Sequence, residues 1–99
     1  MAYPKHMSAT EARIITKLIR RALQQGWTIS VYDGEEWALV KSTDFEAITA
    51  EIAATDETTL RFREYGISVG SVFLVHGNED EVISDMSAND AMDFITRGL

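Results

Sequence analysis

The sequence predicts an α+β fold: a two-layer domain with an antiparallel sheet of four or five strands and helices packed on it, in the order α-β-β-α-β-β-(β)-α. Three observations carry this. Apolar residues recur at spacings of three and four between residues 14 and 23, between 45 and 52, and again towards the C-terminus, the period of a helix with one buried face. Between these stretches lie segments that alternate apolar and polar residues or are continuously apolar, joined by glycine-containing turns, as in antiparallel hairpins. The length, 99 residues with 45% hydrophobic, suits one core and not two. Residues 1–7 read as a loose arm ahead of a single domain over 8–99.

The first helix is expected over about residues 9–25. Ser8-Ala9-Thr10-Glu11 has capping-box spacing, with Ser8 accepting from the backbone three residues on and Glu11 reaching back. Ile14, Ile15, Leu18, Ile19, Ala22 and Leu23 then form the buried stripe, and Gly26 stops it.

Residues 27–41, "WTISVYDGEEWALVK", read as a hairpin. A three-residue loop Tyr32-Asp33-Gly34, with Gly34 in the left-handed bulge position, pairs Val31 with Glu35, Ile29 with Trp37 and Trp27 with Leu39. Trp27, Ile29, Val31, Trp37 and Leu39 then share one face, a set that an even-numbered loop would split.

Thr43 and Glu46 offer a second capping box for a helix over about 44–54 carrying Phe45, Ile48 and Ile52. "TLRFRE" alternates, with Leu60 and Phe62 inward and Arg61 and Arg63 outward, and Gly66 and Gly70 bracket the next turn. "SVFLVH" is apolar on both faces, as in a strand inside a sheet or covered on both sides. "EVIS" fits a short further strand, and Ser87 can cap a last helix with Ala88, Ala91, Met92 and Ile95, stopped by Gly98. The expected core sets Trp27, Ile29, Val31, Trp37, Leu39, Leu60, Phe62, Phe73 and Val75 on Ile15, Leu18, Ile19, Phe45, Ile48 and Ile52.

Several function classes are excluded or weakened by composition. The absence of cysteine removes disulfides, thiolate nucleophiles and thiolate zinc sites. The start has no apolar h-region and no run of about 18 apolar residues occurs, so a cytoplasmic chain with no membrane contact is expected. No Gly-x-Ser-x-Gly elbow is present, and "GISVGS" lacks the lysine of a phosphate loop. The first helix carries a basic stripe of Arg13, Lys17, Arg20 and Arg21, but a pI near 4.6 opposes nucleic-acid binding.

Two acidic stretches invite chemistry. "HGNEDEVISD" places His76 at a strand end before Glu79, Asp80 and Asp85, residue types that bind metal. The spacing matches neither a zinc motif nor a calcium loop, and the other histidine, His6, sits in the arm. "DGEEW" sets Asp33, Glu35 and Glu36 around a turn, where Asp-Gly serves the backbone and the acids stay hydrated. No catalytic residue, metal site or cofactor is therefore assigned.

Charge distribution is the strongest unusual feature. Residues 1–26 hold five bases against Glu11 alone, and the rest holds four bases against fifteen acids, for a net charge of −7. No Lys or Arg falls between Lys41 and Arg61, or between Arg63 and Arg97. Such runs create a field that steers a basic partner. The expected function is a non-enzymatic protein-interaction module in which Asp33, Glu35, Glu36, Glu79, Asp80 and Glu81 meet a basic protein surface. Two other readings stay open: a structural homodimer, the basic helix of one copy on the acidic body of the other, and a metal-assisted hydrolase around His76 and Asp85.

The runs "GWTISVYDGEEWALVKSTDFEAITAEIAATDETTLRFRE" and "GSVFLVHGNEDEVISDMS" resemble the small acidic proteins of uncharacterised function encoded in bacteriophages and prophages. The resemblance carries over no functional residue. It implies a bacterial cytoplasmic setting and a modulator of a host factor, including the anti-CRISPR type; the acidic runs themselves would suit a nucleic-acid mimic, carboxylates standing in for phosphates.

Overall fold

The computed structural model describes residues 8–77 and 81–99, so the arm over 1–7 and the acids Glu79 and Asp80 lie outside the described residues. Along the chain run α1 (Ala9–Gln24), β1 (Thr28–Tyr32), β2 (Trp37–Ser42), α2 (Phe45–Ala53), β3 (Glu57–Glu64), β4 (Ile67–Val75), β5 (Ile83–Met86) and α3 (Asp90–Thr96). The strands form one antiparallel sheet in the order β2-β1-β3-β4-β5, giving the predicted α+β fold; the short fifth strand is present, two residues later than the expected "EVIS".

All three of these helices pack on one face of the sheet, with α1 touching both α2 and α3. Ile15, Leu18 and Ile19 of α1, Ile48 and Ile52 of α2, and Met92 and Ile95 of α3 are fully buried against Ile29, Val31, Leu60, Phe62, Val72 and Leu74. Each such side chain contributes about 1.5–3 kcal/mol of burial, enough to hold a domain of this size without metal or disulfide. Trp27 caps the lower end of this core, its ring 5.9 Å from Phe62 and its indole N–H donating to Glu64 at 3.3 Å.

Helix starts depart from expectation in detail. Ser8 caps α1 by accepting from Glu11 N at 3.1 Å, as expected. The Glu11 carboxylate is fully buried and accepts from Gly77 N with both oxygens, at 3.1 and 2.9 Å, tying the start of α1 to the turn after β4. At α2 the cap is Asp44, not Thr43: its carboxylate accepts from Glu46 N and Ala47 N. A carboxylate at that position also meets the positive end of the helix dipole. At α3 the cap is Asn89, not Ser87. Ser87 instead pairs with Ser71, extending the β4–β5 ladder.

The first hairpin corrects the predicted register. Tyr32 pairs with Trp37 and Val31 with Leu39, so the loop is the four residues 33–36 and Ala38 is an extra residue in β2. Asp33 stabilises this loop: its N–H donates to Glu36 O at 3.0 Å, and its carboxylate accepts from Glu35 N and Glu36 N at 2.9 and 2.8 Å. The even loop turns Trp37 to the face away from the helices, and the bulge at Ala38 returns Leu39 to the core.

β4 is corrected in the same way. Leu60 pairs with Val72 and Thr58 with Leu74, which sends Val72 and Leu74 inward and leaves Phe73 and Val75 half-buried on the other face. The β3–β4 turn is Tyr65-Gly66, both at positive φ, the two-residue arrangement that suits strand twist. Gly70 lies inside β4 opposite Phe62, where an added Cβ would sit 2.7 Å from the Met92 side chain. The glycine makes room for α3.

Candidate functional site: an acidic sheet end and an open sheet face

Strand direction decides which loops meet. β1 ends at Tyr32, β3 begins at Glu57, and β4 ends at Val75, which pairs with Glu57. The 33–36 turn, the entry to β3 and the β4–β5 connection therefore share one end of the sheet. α2 runs back towards that end, adding Glu51. A cleft of about 180 Å³ there is lined by Asp33, Glu35, Glu51, Ala54 and Thr55. The Thr55 hydroxyl donates to Glu57 O at 3.1 Å and to Asp33 O at 3.4 Å, holding the turn against the α2–β3 connection.

Asp33, Glu35 and Glu36 are thus brought together, with Glu51 and Glu57 beside them. The N–H groups of Glu36 and then Glu35 hold the Asp33 carboxyl below its ordinary range. Glu81 is exposed at the same end but next to β5, about three strand spacings, or roughly 14 Å, from β1. Glu79 and Asp80 lie outside the described residues. Glu51 and Glu57 were legible in the sequence only as members of an acidic run; their place beside the turn follows from α2 carrying the chain back up the sheet.

His76 and Asp85 are not brought together. The His76 ring nitrogens are buried, and its backbone N–H donates to Asp56 O at 3.0 Å. Asp85 pairs with Phe73, three residues earlier in β4, about 10 Å along the strand. Its carboxylate accepts from Met86 N at 2.9 Å. Among the described residues no group of three or more His, Asp or Glu side chains is placed to hold a metal ion.

Part of the basic stripe on α1 is committed within the fold. The Arg20 guanidinium lies 4.8 Å from the Phe45 ring. Arg21 donates to Arg97 O at 2.6 Å and Ile95 O at 3.2 Å, satisfying carbonyls at the C-terminus of α3.

The sheet face away from the helices is open. Register aligns Trp37, Tyr32, Thr59, Phe73 and Asp85 in one row across all five strands. The Tyr32 and Trp37 rings are 5.2 Å apart, and the Arg61 guanidinium lies 4.9 Å from the Trp37 ring. A cleft of about 110 Å³ beside them is lined by Ser30, Trp37, Val40, Arg61 and Arg63. Among the described residues no helix is long and apolar enough to cross a membrane. No family model matches this chain, and no curated protein or solved structure matches it.

Proposed function

We propose that this chain is a non-enzymatic interaction module whose acidic sheet end engages a basic protein surface, as a phage- or mobile-element-type modulator of a bacterial host factor in the cytoplasm. The observation that carries the reading is the convergence of Asp33 and Glu35 with Glu51 around one cleft at the end of the sheet, with Glu36 in the same turn and Glu57 opening β3 at that end. Glu81, at the same end, widens the acidic field, and the run from Glu64 to Thr96 contains no Lys or Arg to cancel it. The likeness of the sequence to small acidic phage proteins supports the setting.

Affinity capture from a bacterial host lysate tests this, comparing the wild type with the E35Q/E36Q/E51Q variant. A basic protein retained by the wild type, released as salt rises and lost by the variant supports the reading. A captured partner that ignores both salt and neutralisation overturns it.

A further inference from the structure

We infer that the open sheet face is the site of isologous self-association, with a second copy of this chain as its occupant. The face carries apolar surface that the helices do not reach: Trp37 is 39% and Val40 62% exposed, and Phe73 and Val75 are half-buried. Tyr32 and Thr59 lie between the two pairs in the same row, so large side chains are spread across the whole face, as at an interface. Five strands at about 4.8 Å spacing make it roughly 20–24 Å wide, the scale of a patch covering about 800 Å² per partner.

Self-complementarity selects the occupant. Arg61 and Glu57 lie two positions either side of Thr59 on the central strand β3, all three on the open face. A two-fold axis through Thr59, lying in the face and perpendicular to the strands, sets each Arg61 opposite the partner copy's Glu57, twice per interface. The row Trp37, Tyr32 and Phe73 runs along that axis, so aromatic rings meet their own copies. The same rotation carries the saddle shape of a twisted sheet onto itself, so the two faces match in curvature.

Charge and edge structure agree. Among the described residues, Arg61 leans on the Trp37 ring and pairs with no carboxylate of its own chain. An extended anionic partner such as nucleic acid would find only Arg61 and Arg63 as cations on β3, with the acidic turn at the Glu57 end of the same strand. Edge-to-edge pairing through β2 is opposed by its two irregularities and by Lys41 at φ 52°. Asp85, at the rim of the row, is the residue that meets its like.

Sedimentation equilibrium and light scattering on the full chain at physiological ionic strength test this. The expected result is a species of twice 11.1 kDa at micromolar concentration. R61E and E57R each weaken the dimer at least tenfold while retaining the wild-type circular dichroism, the combined R61E/E57R charge swap restores it, and D85N tightens it severalfold. Trp37 emission shifts to the blue on association. A monomer at about 100 µM, well above the micromolar range typical of a specific interface of this size, overturns the inference. So does a dimer indifferent to R61E and E57R, which would lie on another surface such as the α1 stripe, or a swap that stays monomeric while folded. Capture of a basic partner by a chain that proves monomeric would leave the acidic-end reading standing, so the two can fail separately.

Discussion

The two faces of the sheet are built from the same strands and obey different rules. On the helix side, Ile29, Val31, Leu60, Phe62, Val72 and Leu74 are all fully buried, in one cluster with residues of α1, α2 and α3. On the other side Thr28, Tyr32, Thr59, Arg61, Ser71 and Phe73 are all half-buried, a mixture of hydroxyls, rings and charge. Large apolar side chains occur on both, so hydrophobicity alone does not tell the faces apart. Position in the ladder does.

Truncation at matched sites gives the largest expected contrast. Phe62→Ala empties a fully buried site and should cost about 3–5 kcal/mol, a large part of a typical total of about 5–15 kcal/mol. Phe73→Ala, on the open face, should cost about 1 kcal/mol in the monomer. Urea unfolding of the two variants measures the difference, and equal costs would mean that the open face is as tightly packed as the core.

A smaller contrast lies one residue apart on β4. Gly70→Ala drives a methyl to within 2.7 Å of the Met92 side chain, at a φ of 149°, and should cost about 1–3 kcal/mol. Ser71→Ala, facing away from α3, removes only its hydroxyl contact to Ser87 at 3.3 Å and should stay within about 1 kcal/mol. Combining Gly70→Ala with Met92→Ala should cost less than the sum of the two, because the second removes the atoms that clash. Additive losses would show that backbone strain, not the close approach of α3, demands the glycine.

These contrasts mark what the sequence made legible. Helix stripes were readable because a period near four commits Ile14, Ile15, Leu18 and Ile19 to one side whatever the loops do. Strand facing was readable where polar residues alternate, as in Leu60-Arg61-Phe62-Arg63, and not where both parities are apolar, as in Val72-Phe73-Leu74-Val75. There the pairing with β3 decides, and pairing depends on bulges that no single residue announces. The acidic turn was legible because Asp-Gly marks it, whereas Glu51 and Glu57 joined it through the return path of α2, a tertiary fact. Glu81, exposed next to β5, was legible only as a member of an acidic run.

Capping supplies the next step down in size, at the entry to the helix layer. Asp44 accepts from Glu46 N at 3.1 Å and Ala47 N at 3.4 Å, so Asp44→Ala should cost about 1 kcal/mol. Thr43→Ala, one residue earlier and exposed, should leave the urea midpoint within the spread expected of surface changes, about 0.5 kcal/mol. The reverse ranking would restore the capping box that the sequence spacing suggests.

The smallest effect belongs to the turn that assigns Trp37 to the open face. Asp33 accepts from the N–H groups of Glu35 and Glu36, which hold its folded-state carboxyl below the ordinary value of 3.8. A lowered folded value means that ionised Asp33 stabilises the fold fully above 3.8, and that this contribution is lost as pH falls through the lower folded value. Asp33→Asn keeps an acceptor oxygen but not the charge. Its urea midpoint should lie slightly below wild type at pH 7, and the gap should close on acidification through that window. A gap that persists unchanged below it would mean that the geometry of the acceptor, rather than its charge, holds the four-residue loop and with it the side of the sheet on which Trp37 lies.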